Sequence, residues 1–389
     1  MRIVVTAERL WDGTHALDLP VVSIEDGLIE AISTRAAGEL PRDTRALDFP
    51  GVTLVPAFLD VHIHGAKGHD VMEATPEAID AIGGFLAQHG TGSYLATTVT
   101  APLDSTLRSL AGLAKQAAKE PVAGQARIAG IHLEGPFLSH TKRGVQPAEY
   151  LLAPDIATFD RLVEAAEGHV RLMTLAPELP GAVELTAHAT ARGVRVSLGH
   201  SNATAAETRA AIAAGAVSAT HTFNAMRPLE AREPGILGTV LSEEALYAEL
   251  IADGVHVAPE MVGLWWRCKG AEQAILVTDA MSAAGMPDGE YQLGGFAVEV
   301  AQGRAMARGV LAGSVLTLDR ALENFMEFTG APLEEALRLV TANPAAMSGV
   351  VELAGKLAVG QAASLVALDQ AGRLVGSVVN GQPAAIIPR

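Results

Sequence analysis

The chain has 389 residues, with 28 Lys plus Arg against 44 Asp plus Glu and a formal charge of −16. At roughly 100–200 residues per domain, this is room for two or three domains, or for one large barrel with an attachment. The acidic balance argues against nonspecific nucleic-acid binding and against docking on anionic lipid, both of which need basic surface.

The N-terminal stretch reads as short strands. Met1–Ala7 is apolar and β-branched, Asp12-Gly13 marks a turn, Val21–Ile24 reads as a strand and Asp26-Gly27 as a hairpin. The run Ile3-Val4-Val5 is too short for the apolar core of a secretion signal, which needs about 7–15 residues. No run reaches the roughly 18 apolar residues of a membrane span, so a cytoplasmic protein is expected.

The middle of the chain alternates. Apolar runs lie near Thr53–His64, Ser93–Thr98, Arg127–Glu134, Val170–Leu175, Val194–Leu198, Val217–His221, Tyr247–Ala252 and Ala274–Thr278. Between them sit Ala/Leu/Glu segments at helical spacing, such as Pro76–His89, Asp104–Lys119, Ala205–Ala214 and Pro259–Lys269. Strand–helix alternation implies a parallel sheet, and eight units in about 250 residues suit a TIM (β/α)8 barrel. A doubly wound open sheet is the competing reading of the same alternation.

The C-terminal end returns to the style of the beginning: Ser364–Leu368, Gly372, Leu374–Val379 and Asn380-Gly381. The expected architecture is therefore α/β, a barrel over residues 54–346. A small β-sandwich is expected from residues 1–53 and 347–389 together.

Twelve His stand against a single Cys, Cys268. A metal site would accordingly use N and O donors, and no intrachain disulfide is possible. Polar residues gather where the apolar runs end, which in such barrels is the active face. They are His62, His64, Glu134, His200, His221, Asp253 and Asp279. Asp60, His62 and His64 alternate with Leu59, Val61 and Ile63, so period two places all three on one face. Two imidazoles two apart on a strand suit one metal ion. Alone, each of the others has a plain structural reading: Glu134 as a salt-bridge partner, Ser201 or Asn202 beside His200 as helix caps. Together, four His and two carboxylates at successive strand ends have the composition of a hydrolytic metal site.

Val55-Pro56-Ala57-Phe58-Leu59-Asp60-Val61-His62-Ile63-His64-Gly65 resembles the first-strand signature of the amidohydrolase superfamily. Four further stretches resemble one branch of it, the N-acetylglucosamine-6-phosphate deacetylases. They are His132-Leu133-Glu134-Gly135-Pro136-Phe137, Leu198-Gly199-His200-Ser201-Asn202-Ala203, Thr220-His221-Thr222-Phe223-Asn224-Ala225-Met226 and Leu276-Val277-Thr278-Asp279-Ala280. Arg232-Glu233-Pro234-Gly235, Ile251-Ala252-Asp253-Gly254-Val255-His256 and Gly313-Ser314 also match, in order, across nearly the whole chain.

The resemblance implies a homodimer that removes the acetyl group of a phosphorylated N-acetyl amino sugar, giving glucosamine 6-phosphate and acetate. It implies a divalent metal, zinc first, with iron, cobalt or manganese as alternatives, held at Glu134, His200 and His221. Because His62 and His64 are present, a second ion with Glu134 bridging is expected, so one or two per chain. Asp279 is implied as general base and acid. Val145, Gln146, Asn224, Ala225, Asp253, His256 and Leu311-Ala312-Gly313 are implied to line the substrate pocket, and Arg232 to reach the phosphate across the dimer. The fourth run, Arg171-Leu172-Met173-Thr174-Leu175, contains no Lys, which argues against the branch that uses a carboxylated Lys.

One position departs from the branch. Gln146 stands in Lys142-Arg143-Gly144-Val145-Gln146, where the branch carries a His near the scissile amide. An amide N–H can still donate to a developing oxyanion, but without charge. This keeps two rival readings open: a metal amidohydrolase for a different N-acyl sugar or amide, and a non-catalytic metal-binding barrel. The intact Asp279 counts against the last. Trp265-Trp266 and Cys268 read as packing, Asn343-Pro344 as a helix boundary, and Met281–Gly285 as a small-residue loop.

Overall fold

The computed structural model describes residues 2–36 and 45–386. Eight parallel strands lie side by side in chain order: Phe58–Ile63, Thr91–Thr98, Arg127–Glu134, Val170–Leu175, Arg195–Leu198, Ser218–Ala219, Tyr247–Ile251 and Ala274–Val277. Each falls within one of the apolar runs or next to it. The first run divides in two, because Arg45–Pro56 belongs to the terminal sheet and only Phe58–Ile63 to the barrel.

The eighth strand returns to the first. Ile63 and Ala280 form a parallel bridge, and the Asp279 N–H donates to the His62 carbonyl at 2.9 Å. Asp60 fastens this seam from inside. Its carboxylate accepts from the Thr278 hydroxyl at 2.5 Å, the Thr278 N–H at 3.4 Å and the His62 N–H at 3.2 Å. Full burial pushes its pKa up to about 7. Asp60 thus shares a face with the two His but serves barrel closure.

The helices follow their sequence signals. In Pro76–Gln88, Thr75 caps the start by accepting from the Ala78 N–H, and Pro76 supplies the preset first turn. In Leu103–Ala117 the buried residues Thr106, Leu110, Leu113 and Ala114 recur at one helical face, which lies toward the barrel. Burying a Leu of this kind contributes about 1.5–3 kcal/mol.

Both termini join one sheet of eight strands, in which Arg2–Trp11 pairs in parallel with Arg45–Pro56, and Arg45–Pro56 pairs antiparallel with Leu365–Leu368. The two layers expected of a sandwich are parts of this continuous sheet. It encloses its own core of Ile3, Val5, Leu10, Val22, Leu54, Leu365 and Val378. The strand through Pro56 sets the changeover to the barrel just after residue 56, three residues beyond the sequence boundary.

A third unit has no counterpart in the sequence reading. Gly289–Leu293, Phe296–Ala301, Arg304–Ala307 and Val310–Leu311 form an antiparallel sheet inserted after the eighth barrel strand. Its inner residues Leu293, Val298, Val300 and Ala305 pack on Val99 and Met281 at the top of the barrel.

Candidate metal centre and active site

The strand ends converge as the alternation implied. Two groups of buried ligands form, His62, His64 and Asp279 in one and Glu134, His200 and His221 in the other, each with its ligand atoms within 4.8 Å of one another. In the second group Glu134 Oε1 lies 3.1 Å from His200 Nε2 and 3.2 Å from His221 Nε2. The two imidazole nitrogens are themselves 3.1 Å apart. Glu134 also faces the first group, with Oε1 3.4 Å from His62 Nε2 and Oε2 3.4 Å from His64 Nε2. Asp279 Oδ1 is 3.1 Å from His64 Nε2 and 3.6 Å from His62 Nε2.

These spacings suit a metal. Four donors around zinc at bonds near 2.0–2.2 Å sit about 3.4 Å from each other along the tetrahedron edges. His62 Nε2 is buried and makes no hydrogen bond, although two carboxylates face it. The far sides of three of the four rings are oriented, while His221 Nδ1 is buried without a partner. His64 Nδ1 meets the Thr97 carbonyl at 3.0 Å, His200 Nδ1 the Lys142 carbonyl at 3.0 Å, and His62 Nδ1 the Glu249 carboxylate at 3.3 Å. Such partners hold the Nε2 of these three toward the cluster. The residues present therefore fit a divalent ion at Glu134, His200 and His221, and a second at His62, His64 and Asp279.

The electrostatics follow from this crowding. Burial opposes ionisation of Asp279, yet the His62 and His64 imidazoles outweigh it and hold the carboxyl at about 2. Burial likewise opposes charge on His64, but hydrogen bonds to Asp279 and Glu134 raise it to about 9. Glu134 is held well below the ordinary carboxylate value against its burial, by His62 and His200. His132, below the cluster, is held well below the ordinary value by burial and by His62. Its Nε2 pairs with the Thr174 hydroxyl at 2.8 Å, so it supports the barrel floor.

Three ligating or reacting residues carry positive φ without being glycine: His200 at 47°, His221 at 29° and Asp279 at 50°. Ala225, beside the cavity, is at 50°. Left-handed backbone costs such residues of order 1–3 kcal/mol each and persists only where the surroundings enforce it. The turn at each strand end aims these side chains inward.

A cavity of about 270 Å³ opens above the cluster. Of the residues expected to line it, Val145, Gln146, Asn224, Ala225, His256, Leu311 and Gly313 do so, with His64, Glu134, His200, His221 and Asp279 at its base. Asp253 is behind His256 and pairs with its Nδ1 at 2.6 Å. Ala312 is fully buried in the core of the added sheet, outside the cavity lining. Arg232 lies in an exposed loop, also outside the lining. Val99, Gly144, Leu293 and Val310 complete the wall, and the sequence reading had no place for them. Leu293 and Val310 come from the added sheet, whose X-Gly turns at Gln302-Gly303 and Arg308-Gly309 were the available signal.

Gln146 is fixed at both ends of its amide. The Thr100 N–H can only donate, so its 2.8 Å partner is Gln146 Oε1, and Nε2 then donates to Glu134 Oε2 at 2.8 Å. One of its two N–H groups thus serves the glutamate rather than the pocket. The oxyanion role expected from the sequence is left to the other.

The fold and the site define a metal-dependent hydrolase barrel. Residues 53–387 match the amidohydrolase family, and the chain belongs to it. Among its relatives, an N-acetylgalactosamine-6-phosphate deacetylase of Escherichia coli O157:H7 is 39% identical, covering 99% of this chain and 100% of its own. An N-acetylglucosamine-6-phosphate deacetylase of Vibrio furnissii is 35% identical over 98% of this chain and 96% of its own. The structure of an Asp-to-Ala mutant of the Mycobacterium smegmatis N-acetyl-D-glucosamine-6-phosphate deacetylase, in complex with N-acetyl-D-glucosamine-6-phosphate, superposes with a TM-score of 0.90. It is 35% identical and covers 99% of both chains.

Proposed function

We propose that this chain removes the acetyl group of N-acetylglucosamine 6-phosphate by metal-dependent hydrolysis, giving glucosamine 6-phosphate and acetate. The observation that carries the reading is two adjoining His-carboxylate clusters, one of them holding Asp279, at the floor of an open cavity. The relatives supply the substrate class. One of them acts on the galactosamine epimer, which makes N-acetylgalactosamine 6-phosphate a second reading that shares the acetamide and the phosphate.

When bound, a divalent ion held by Glu134, His200 and His221 would activate water and polarise the acetyl carbonyl. Zinc suits the mixed His and carboxylate donors, and His62, His64 and Asp279 would hold a second ion. Asp279, ionised at neutral pH, takes a proton from the attacking water. It then returns that proton to the amine nitrogen as the C–N bond breaks. The second Nε2 hydrogen of Gln146 is the donor nearest in kind to the branch's His for the developing oxyanion. Val99, Leu293 and Val310 give the cavity wall an apolar stretch that would suit the acetyl group.

His256 faces the cavity, and the Asp253 carboxylate on its Nδ1 holds its pKa above the ordinary value, which favours the protonated ring toward an anionic substrate. The family resemblance assigns Arg232 to the phosphate from a second copy, and its exposed loop, outside the cavity of its own chain, is compatible with that role. That assignment makes the working unit a homodimer. A cytoplasmic location suits a phosphorylated sugar, which as an anion does not cross a bilayer unaided, and suits a chain with one Cys. Among the described residues, no helix is long and apolar enough to cross a membrane.

The test is acetate release from the two N-acetylhexosamine 6-phosphates and their unphosphorylated forms. The proposal expects strong preference for a phosphorylated member. Equal turnover with and without phosphate would contradict it.

A further inference from the structure

We propose that Glu249 is a positioning residue that sets the ring and tautomer of His62, and through them the strength of the second metal position at His62, His64 and Asp279. This rests on the metal-dependent reading above, extended to two ions. Glu249 lies in the seventh barrel strand, Tyr247–Ile251, and is fully buried. Its Oε2 lies 3.3 Å from His62 Nδ1 and accepts from the His221 N–H at 3.4 Å, while Oε1 has no partner. Among the described residues no Lys or Arg is ion-paired with it. A carboxylate in such a place is costly unless its neighbours compensate it.

The compensation runs through His62. With the Glu249 Oε2 accepting across this 3.3 Å contact, His62 Nδ1 carries the hydrogen between them. A neutral ring then has its lone pair on Nε2. That atom is buried, makes no hydrogen bond, and faces Glu134 Oε1 at 3.4 Å and Asp279 Oδ1 at 3.6 Å. Without metal a proton on Nε2 faces the two carboxylates; when the ring is a ligand its lone pair faces them instead, and a bound cation takes the proton's place. His132 packs edge-on against His62, with ring centroids 4.7 Å apart, and fixes the ring's plane. Glu249 therefore sets which nitrogen is free, and the cluster sets what that nitrogen binds.

His62 differs here from its neighbours. His64 and His200 are backed by backbone carbonyls, His62 by a carboxylate. A carboxylate behind the ring makes the ligand more basic, and losing such a partner typically costs 10–100-fold in metal affinity. Glu249 touches the first metal position only through the His221 backbone.

The test titrates metal-free protein with zinc against a competing chelator, and with cobalt, whose visible absorption reports coordination. Wild type is expected to bind two ions. Glu249→Leu should weaken the second by about 10–100-fold and leave the first within about threefold. Glu249→Gln keeps the volume and an acceptor oxygen, and should weaken the second ion less, in the same direction. In a His62→Ala background, Glu249→Leu should change metal binding no further, as expected if it acts through that ring.

Equal weakening of both ions, additive losses in the double variant, or unchanged binding in Glu249→Leu would each overturn the proposal. Should Glu249→Leu fail to fold, unchanged second-ion affinity in Glu249→Gln would overturn it alone. Wild type binding a single ion would also overturn it, yet acetate release by that protein would leave the deacetylase reading standing.

Discussion

At the scale of the residue, the account turns on Asp279. Burial alone would favour its neutral form, and His62 and His64 outweigh it, holding the carboxyl at about 2. Asp279→Asn removes the proton acceptor while keeping size and shape. It should lower turnover by about 10²–10⁴-fold, with the Glu134, His200 and His221 position still binding metal. Steady-state kinetics beside metal analysis checks this, and near-normal turnover would assign the base elsewhere. A second prediction concerns His256. Burial lowers its pKa, but the bond to Asp253 more than restores it, so the pKa lies above the ordinary 6.5. Asp253 is lowered from 3.8, against its burial, by the same bond. The His256 contribution to stability is complete below pH 6.5 and fades as pH rises through the raised folded value. The Asp253 contribution is complete above 3.8 and fades as pH falls through the lowered one. The pair is thus at full strength between about pH 4 and 6.5. Proton NMR of the His256 ring should show a midpoint above 6.5, falling in Asp253→Asn. An unchanged midpoint would remove the pair from the account.

At the scale of the element, the barrel strands were legible and the added sheet was not. Eight apolar runs stood out because strands buried on both faces read as continuous Val, Ile and Leu. The added sheet is half exposed, and Phe296–Ala301 alternates exposed and buried residues. Its turns carried the missing signal. Gly294-Gly295, Gln302-Gly303 and Arg308-Gly309 each have positive φ at both residues, the pattern of two-residue hairpin turns. The Ser218–Ala219 strand is far shorter than its run, since His221 must leave the sheet to reach Glu134. A substitution at Gly294 tests the sheet's role. Its φ is +54°, and a Cβ there would lie 1.9 Å from a methyl of Val99, which lines the cavity. Gly294→Ala should cost about 1–3 kcal/mol of stability and raise KM. Thermal melting and kinetics check both effects, and wild-type values would mean the sheet does not shape the pocket.

At the scale of the molecule, the charge of −16 sets a problem for an anionic substrate. The overall field repels a phosphosugar, so binding depends on local cations. Within one chain, His256 reaches the cavity while Arg232 remains outside it. Arg232→Ala is expected to raise KM strongly for the phosphorylated substrate and little for its unphosphorylated analogue. Equal KM changes for both would remove Arg232 from phosphate recognition. The architecture and the six residues of the two clusters could be read from alternation and strand-end chemistry. Glu249 could not, because a Glu within Tyr247–Ile251 gives no sign of whether it points into the barrel or out. The Gln146 geometry was equally hidden, since its partner Thr100 is 46 residues away in sequence. Long-range pairs of this kind exist only once the barrel has closed.

Metal-dependent deacetylation is tested most directly by counting acetate released from N-acetylglucosamine 6-phosphate and N-acetylgalactosamine 6-phosphate by the purified protein, before and after chelation, and again after zinc is restored. The account predicts acetate from at least one of the two, loss of release on chelation, and recovery with zinc. No acetate from either sugar, or release that continues unchanged in metal-free protein, would contradict it.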